Sequence, residues 1–215
     1  MPSTLRISEI FASIQGESTN AGLPCAFVRL SGCNLRCVYC DTKYAYTDGR
    51  EMTPDEVVEA VEGLNIPLVE ITGGEPMMQE GVHELAAVLL DGGYRVMIET
   101  NGSRPISGID ARAMVVMDVK TPGSGVSDSM QFENFEALKP VDNVKFVITS
   151  EGDYLWSRSI IRDFDLYKRC SVLMSAAYGK VEYRDLVEWI MRDRLPVRFN
   201  MQLHKHIWGA NATGV

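Results

Sequence analysis

Along this chain, short runs rich in valine and isoleucine alternate with stretches whose apolar residues recur at helical spacing. The runs predict strands over residues 26–30, 68–72, 95–99, 114–119, 144–149, 171–175 and 197–203, with an extended piece over 7–14 at an edge. Helical patterns lie between most of them. The first opens on Thr53-Pro54-Asp55-Glu56, with a threonine cap, proline at the first helical position and acids in the first turn. A second, over 77–90, stops at Asp91-Gly92-Gly93. Patterns over 129–138, 153–164 and 180–191 complete the set, and only a short proline-containing piece joins the third and fourth strands.

Strand–helix alternation implies a mostly parallel α/β sheet with helical crossovers, in a single domain over 1–215. In such folds the site gathers at the carboxyl ends of the strands. The polar and glycine-rich segments SGCNLRC, TGGEP, ETNGS, DVKTPGSG, SAAYG and QLHKH fall at those ends. Strand ends need turn residues in any protein, so this coincidence alone decides little.

Composition narrows the classes. The chain is 46% hydrophobic and 23% charged, enough apolar material for a large core, and its net charge of −8 argues against a nucleic-acid partner. A local basic pocket for a small anion remains compatible with that charge. No run approaches the roughly 18 apolar residues of a membrane span, and no basic segment followed by an apolar run marks a signal peptide. A cytoplasmic location without a membrane partner is expected. Thiols stay reduced there, so clustered cysteines point to metal or catalysis.

Three of the five cysteines, Cys33, Cys37 and Cys40, form C-x3-C-x2-C. Structural zinc takes four ligands, and most iron–sulfur clusters are held by four thiolates. This segment supplies three, with no nearby histidine or fourth cysteine, and so leaves one metal position open. Cys25 and Cys170 each directly precede a strand and read as packing residues.

The triplet, with Tyr39 before its last cysteine, resembles the radical S-adenosylmethionine (SAM) family. Thr72-Gly73-Gly74-Glu75-Pro76 resembles that family's GGEP motif. The resemblance implies a reduced, incomplete TIM-like barrel with helices outside. It also implies a 4Fe-4S cluster whose open iron binds S-adenosyl-L-methionine, and a radical derived from SAM in place of a catalytic side chain. An activating enzyme for glycyl radicals, also short and built on this triplet, is one alternative; a non-catalytic metal-binding protein is another.

The stretches Ile14-Gln15-Gly16-Glu17, Phe27-Val28-Arg29, Cys40-Asp41-Thr42, Glu99–Gly102, Asp118-Val119-Lys120 and Gln202-Leu203-His204-Lys205 are similar to the 7-carboxy-7-deazaguanine synthases of queuosine and deazapurine biosynthesis. That likeness implies a lyase converting 6-carboxy-5,6,7,8-tetrahydropterin to 7-carboxy-7-deazaguanine with loss of ammonia, assisted by Mg2+. It assigns Cys33, Cys37 and Cys40 to the cluster and Thr42 to magnesium. Tyr39, Cys40, Asp41, Gly74, Glu75, Asp118, Val119 and Lys120 go to SAM, as do Ser175, Ala176, Ala177 and Tyr178. In that last stretch the chain departs from the expected Ser-Pro or Gln-Pro, which puts its side-chain contacts in doubt. Ile14, Gln15, Gly16, Arg29 and Thr72 go to the substrate. Arg29 is a charge inside an apolar strand and needs an anionic partner, whether a structural carboxylate or the substrate's own. A flavodoxin-like or other electron donor is implied, and a homodimer is the base-rate expectation.

Overall fold

The computed structural model describes residues 3–210 and 212–214. One nine-stranded sheet carries the fold, in the order β3-β1-β2-β4-β5-β6-β7-β8-β9. The strands are β1 (Leu5–Ile14), β2 (Pro24–Leu30), β3 (Arg50–Met52), β4 (Leu68–Gly73), β5 (Arg95–Thr100), β6 (Met114–Val119), β7 (Asn143–Ile148), β8 (Ser171–Ala176) and β9 (Arg198–Phe199). From β2 through β4 to β9 every neighbour is parallel, while β1 pairs antiparallel with both β2 and β3. The edges β3 and β9 do not pair with each other, so the barrel is open.

The helices are α1 (Pro54–Glu62), α2 (Gly81–Asp91), α3 (Glu151–Asp163), α4 (Leu166–Arg169), α5 (Tyr183–Asp193) and α6 (Leu203–Ile207). The expected capping box opens α1: Glu56 N donates to Thr53 Oγ1 at 3.3 Å, and Thr53 N donates to Glu56 Oε2 at 2.7 Å. Leu85 and Leu89 of α2 pack on Val28 and Ile71 of the sheet, and Tyr154, Ile161 and Leu186 of α3 and α5 pack on Met117 and Phe146. A smaller cluster of Cys25, Phe27, Leu68, Met97 and Val116 lines up near the amino ends of the strands.

The concave side is filled from within. Residues 15–23, between β1 and β2, reach across it. Thr19 N donates to Asn143 Oδ1 at the start of β7, 2.9 Å away. Asn20 Nδ2 lies 3.3 Å from the sulfurs of Met97 and Met114.

Four expected elements differ. Residues 129–138 do not form an α-helix but 3-10 turns at Ser127–Ser129 and Phe132–Ala137. Phe132 and Phe135 lie three apart, and both pack on Phe164, which three residues per turn permits. The helix expected from 77 begins at Gly81. Before it, Pro76–Met78 makes a 3-10 turn whose Met77 N is capped by Glu75. The strand expected over 197–203 shrinks to Arg198–Phe199. Asn200 turns in, its N donating to Met174 O at 2.8 Å and its Nδ2 to Ser175 Oγ at 3.0 Å, and the chain leaves the sheet. The strand over 7–14 begins earlier, at Leu5, and is covered outside by β3, so it is not the edge. Of the tail 209–215, residues 211 and 215 lie outside the described residues, as do Met1 and Pro2. No helix among the described residues is long and apolar enough to cross a membrane.

Candidate active site

Alternation along parallel strands sends every second side chain to the concave face. On that face the sheet contributes Arg29 from β2, Thr72 from β4, Glu99 from β5, Asp118 from β6 and Lys145 from β7, with Arg29 in register with Thr72 and Asp118 with Lys145. All five border a cavity of about 580 Å³ at the carboxyl ends of the strands. The cavity is within the size range of small-molecule sites. On another wall stand Cys33, Cys37 and Cys40, in the loop after β2.

Lys145 knits the charged set together. Its Nζ lies 2.7 Å from Glu17 Oε2, 2.5 Å from Glu99 Oε1 and 3.7 Å from Asp118 Oδ2. Burial would push an ammonium toward neutrality, yet these acids carry the Lys145 pKa well above its usual value. In return the Lys145 ammonium, with Thr72 Oγ1 donating at 2.9 Å, overcomes burial and holds Glu99 down at about 2. Lys120 pairs with Asp118 at 2.9 Å. Asp118 Oδ1 is buried without a partner, an acceptor open to a ligand. Glu70 differs: burial and then the Glu99 charge raise its pKa well above the carboxylate range, and Gln15 Nε2 donates to it.

The cysteine loop rests on the turn after β4. Gly74 N donates to Leu30 O at 2.9 Å and Glu75 N to Gly32 O at 2.8 Å. A Cβ on Gly74 would overlap the Gly32 carbonyl and stand 3.1 Å from Cys33 N. Only glycine permits that approach. On the far side Val38 N donates to Ser124 O at 3.0 Å. Burial pushes the Cys33 and Cys37 thiols up, and Lys120 works against it.

The donor set fits an iron–sulfur cluster. It offers three soft thiols on one wall; Cys25 and Cys170 do not border the cavity, so no fourth thiol joins them. Thr42 also borders the cavity. Its hydroxyl donates to Asp41 Oδ1 at 3.0 Å, which turns its lone pairs outward for a hard cation. Among the described residues no three His, Cys, Asp or Glu side chains, these cysteines included, converge on a single metal ion, so bound water or substrate would have to complete a magnesium shell.

Most residues assigned from the sequence meet here. Ile14, Gln15, Gly16, Arg29, Tyr39, Asp41, Thr42, Thr72, Gly74, Asp118, Lys120, Ala177 and Tyr178 border the cavity with the three cysteines. Glu75, Val119, Ser175 and Ala176 do not. Val119 and Ala176 pack in the core outside the sheet, and Ser175 is bonded to Asn200. Glu75 is fully buried, and its carboxylate accepts from Met77 N, Thr100 Oγ1 and Asn101 N at 2.7–2.9 Å. This carboxylate holds the turn together. Gln15 likewise spends its amide, donating to Glu70 and accepting from Glu17 N. Arg29 has the structural partner its burial demanded: Nε lies 2.7 Å from Glu9 Oε1, which also accepts from Tyr44 OH. Among the described residues only that Nε is hydrogen-bonded.

Glu17, Glu70, Lys145 and Lys205 receive no role from the sequence, although Glu17 and Lys205 lie in stretches that carry the resemblance. For two of them a signal was there. Glu70 in Leu68–Gly73 and Lys145 in Asn143–Ile148 are lone charges in apolar strands, as Arg29 is.

A curved parallel sheet with three thiols from one loop over a charged floor is the layout of a radical SAM enzyme, and residues 27–119 match the family described as the Radical SAM superfamily. A solved structure, the crystal structure of QueE from Escherichia coli, shares the fold at a TM-score of 0.80 over 94% of this chain and 95% of that one, with 20% identity. The chain belongs to the 7-carboxy-7-deazaguanine synthase family. It is 47% identical to the 7-carboxy-7-deazaguanine synthase of Chlorobaculum tepidum over 98% of this chain and 97% of that one. It is 42% identical to that of Koribacter versatilis over 98% and 100%.

Proposed function

We propose that this chain, as one domain, converts 6-carboxy-5,6,7,8-tetrahydropterin to 7-carboxy-7-deazaguanine with release of ammonia. The observation that carries the reading is the meeting of Cys33, Cys37 and Cys40 with the Arg29–Thr72–Glu99–Asp118–Lys145 set in one cavity. Cys33, Cys37 and Cys40 would hold a 4Fe-4S cluster, which together with SAM would supply radical chemistry to the substrate.

The protein's own work is placement. Gly74 lets the turn after β4 approach the cysteine loop, and Asp118, Lys120, Ala177 and Tyr178 border the cofactor space. Arg29, already fixed by Glu9, has further N–H donors for the pterin carboxylate. Thr42 offers an oxygen to the magnesium ion that accompanies that carboxylate. Ile14, Gln15 and Gly16 supply the wall against which the pterin lies. Glu70, its pKa raised by burial and the Glu99 charge, borders the same cavity. A one-electron donor such as a flavodoxin, a cytoplasmic setting and a homodimer complete the reading; the free state of all five cysteines suits a reducing compartment.

The test is anaerobic. Protein reconstituted with iron and sulfide receives reductant, SAM, magnesium and the pterin, and 7-carboxy-7-deazaguanine is sought by mass. Many turnovers per SAM consumed is the expected result. 5′-Deoxyadenosine without that product would leave the superfamily standing and overturn the substrate.

A further inference from the structure

We propose that Lys205 is a positioning residue that locks the carboxyl-terminal segment to the cysteine loop and thereby orients Thr42. The inference rests on the function proposed above. It starts from the open seam of the barrel. No strand pairing joins β9 to the β1 side; residues 202–205 do so instead. Leu203 N donates to Gly16 O at 3.0 Å, and Gln202 Nε2 donates to Glu17 Oε1 at 2.7 Å. Lys205 Nζ donates to Gln202 Oε1 at 3.0 Å and pairs with Asp41 Oδ2 at 2.7 Å. Asp41 Oδ1 accepts from Thr42 Oγ1 at 3.0 Å. A continuous chain of polar contacts thus runs from the substrate-side segment at Glu17 to the residue assigned to magnesium.

Two features mark this pair, in which the Asp41 side chain stays 46% exposed at the cavity mouth and the lysine does not. The Lys205 side chain is only 9% exposed, so its ammonium has left solvent and needs its partners. Both Asp41 oxygens are engaged, one by a cation and one by the hydroxyl it must aim. A hydroxyl that gives its proton to a fixed carboxylate turns its lone pairs away from it, and outer partners of this kind set the affinity of a metal ligand. Without Lys205 the Asp41 carboxylate is free to rotate, and Thr42 loses its aim. The helix α6 keeps a separate tether, Tyr183 OH to His206 Nε2 at 2.8 Å, so removing Lys205 need not release the whole segment.

The test compares Lys205→Met with Lys205→Arg. In the reconstituted enzyme, Lys205→Met should raise the magnesium concentration for half-maximal rate by about 10–100-fold, the usual cost of losing an outer partner of a metal ligand. KM for the pterin should rise with it, while kcat at saturation stays near wild type. Lys205→Arg should recover most of the loss. Asp41→Asn should raise the magnesium requirement too, on top of any loss of SAM binding, and adding Lys205→Met to it should raise that requirement no further, because the two act in series. In cluster-free protein, hydrogen exchange at the Leu203 and Lys205 amides should accelerate in Lys205→Met and stay slow in Lys205→Arg. An unchanged magnesium dependence, or additive losses in the double variant, would overturn the proposal. So would a uniform fall in kcat and melting midpoint without the magnesium shift. If wild type turns over no pterin at all, the proposed function fails, and the exchange comparison alone decides whether Lys205 is the lock.

Discussion

Replacing Gly74 by alanine tests the closest approach in the site. The added methyl would overlap the carbonyl of Gly32, which is backbone and cannot rotate aside. The turn after β4 and the cysteine loop must therefore separate by roughly an ångström, a strain of about 1–3 kcal/mol for overpacking. The same separation breaks or stretches two hydrogen bonds, Gly74 N to Leu30 O at 2.9 Å and Glu75 N to Gly32 O at 2.8 Å. Each is worth about 0.5–1.5 kcal/mol. The sum centres near about 4 kcal/mol, a large part of the roughly 5–15 kcal/mol that holds a domain together. At about 3 °C per kcal/mol for a chain of this length, the melting midpoint should fall by roughly 12 °C. Thermal unfolding of the cluster-free protein measures that fall, and iron content after reconstitution measures whether Cys33 has moved. Gly63→Ala is the control: its φ is −60° and its added methyl comes no closer than 3.5 Å to any neighbour. A Gly74→Ala protein that melts within about 2 °C of this control and takes up full iron refutes the reasoning.

Other outcomes follow from the same geometry. Alanine at any one of Cys33, Cys37 or Cys40 should abolish iron uptake while the cluster-free protein still melts cooperatively; undiminished iron would remove that cysteine from the ligand set. Lys145→Met strands Glu17, Glu99 and Asp118 together, at a cost of about 3–5 kcal/mol by denaturant titration. Glu99 is held near 2, below its unfolded value, so its contribution is present above about pH 4.3 and fades as pH falls toward 2. The deficit in Lys145→Met should shrink over that window, and a deficit independent of pH would count against the pairing. Glu70 has the opposite sign. Its raised folded pKa means the native state keeps a proton that the unfolded chain releases, so its contribution falls as pH rises above about 4.3. Glu70→Gln should therefore gain on wild type in melting midpoint as pH climbs from 5 to 8, and parallel curves would show that Glu70 is ionised.

The parts of this molecule visible in the sequence are those whose cause is local. The strands at 26–30, 68–72 and 114–119 are apolar runs bounded by turn residues, and each lies within its strand in the structure. The cap at Thr53 reads directly because all its partners lie within one turn. The segment 129–138 carries helix-like spacing, but the aromatic cluster around Phe164 and the Asn134 bonds to Gly102 O and Arg104 O draw it into 3-10 turns. Those partners are distant in sequence, and periodicity does not report them. The site divides the same way. The cysteine triplet and the lone charge at Arg29 stand out from their neighbours, whereas Asp41–Lys205 and Glu17–Gln202 join residues that only the seam of the barrel brings together.

The set of side chains at Arg29, Thr72, Glu99, Asp118 and Lys145 has a bearing on how such a chain can change. Each strand in that set contributes one residue, and the charges answer one another across strand boundaries. No single codon can alter its own sign there without leaving a neighbour unmatched in a water-poor interior. A lineage moving from one balanced set to another must cross an intermediate weaker by several kcal/mol, about what a domain can spare. The set should therefore drift by paired replacements on strands whose side chains meet in the cavity or hold still, even at positions where the ligand makes no demand.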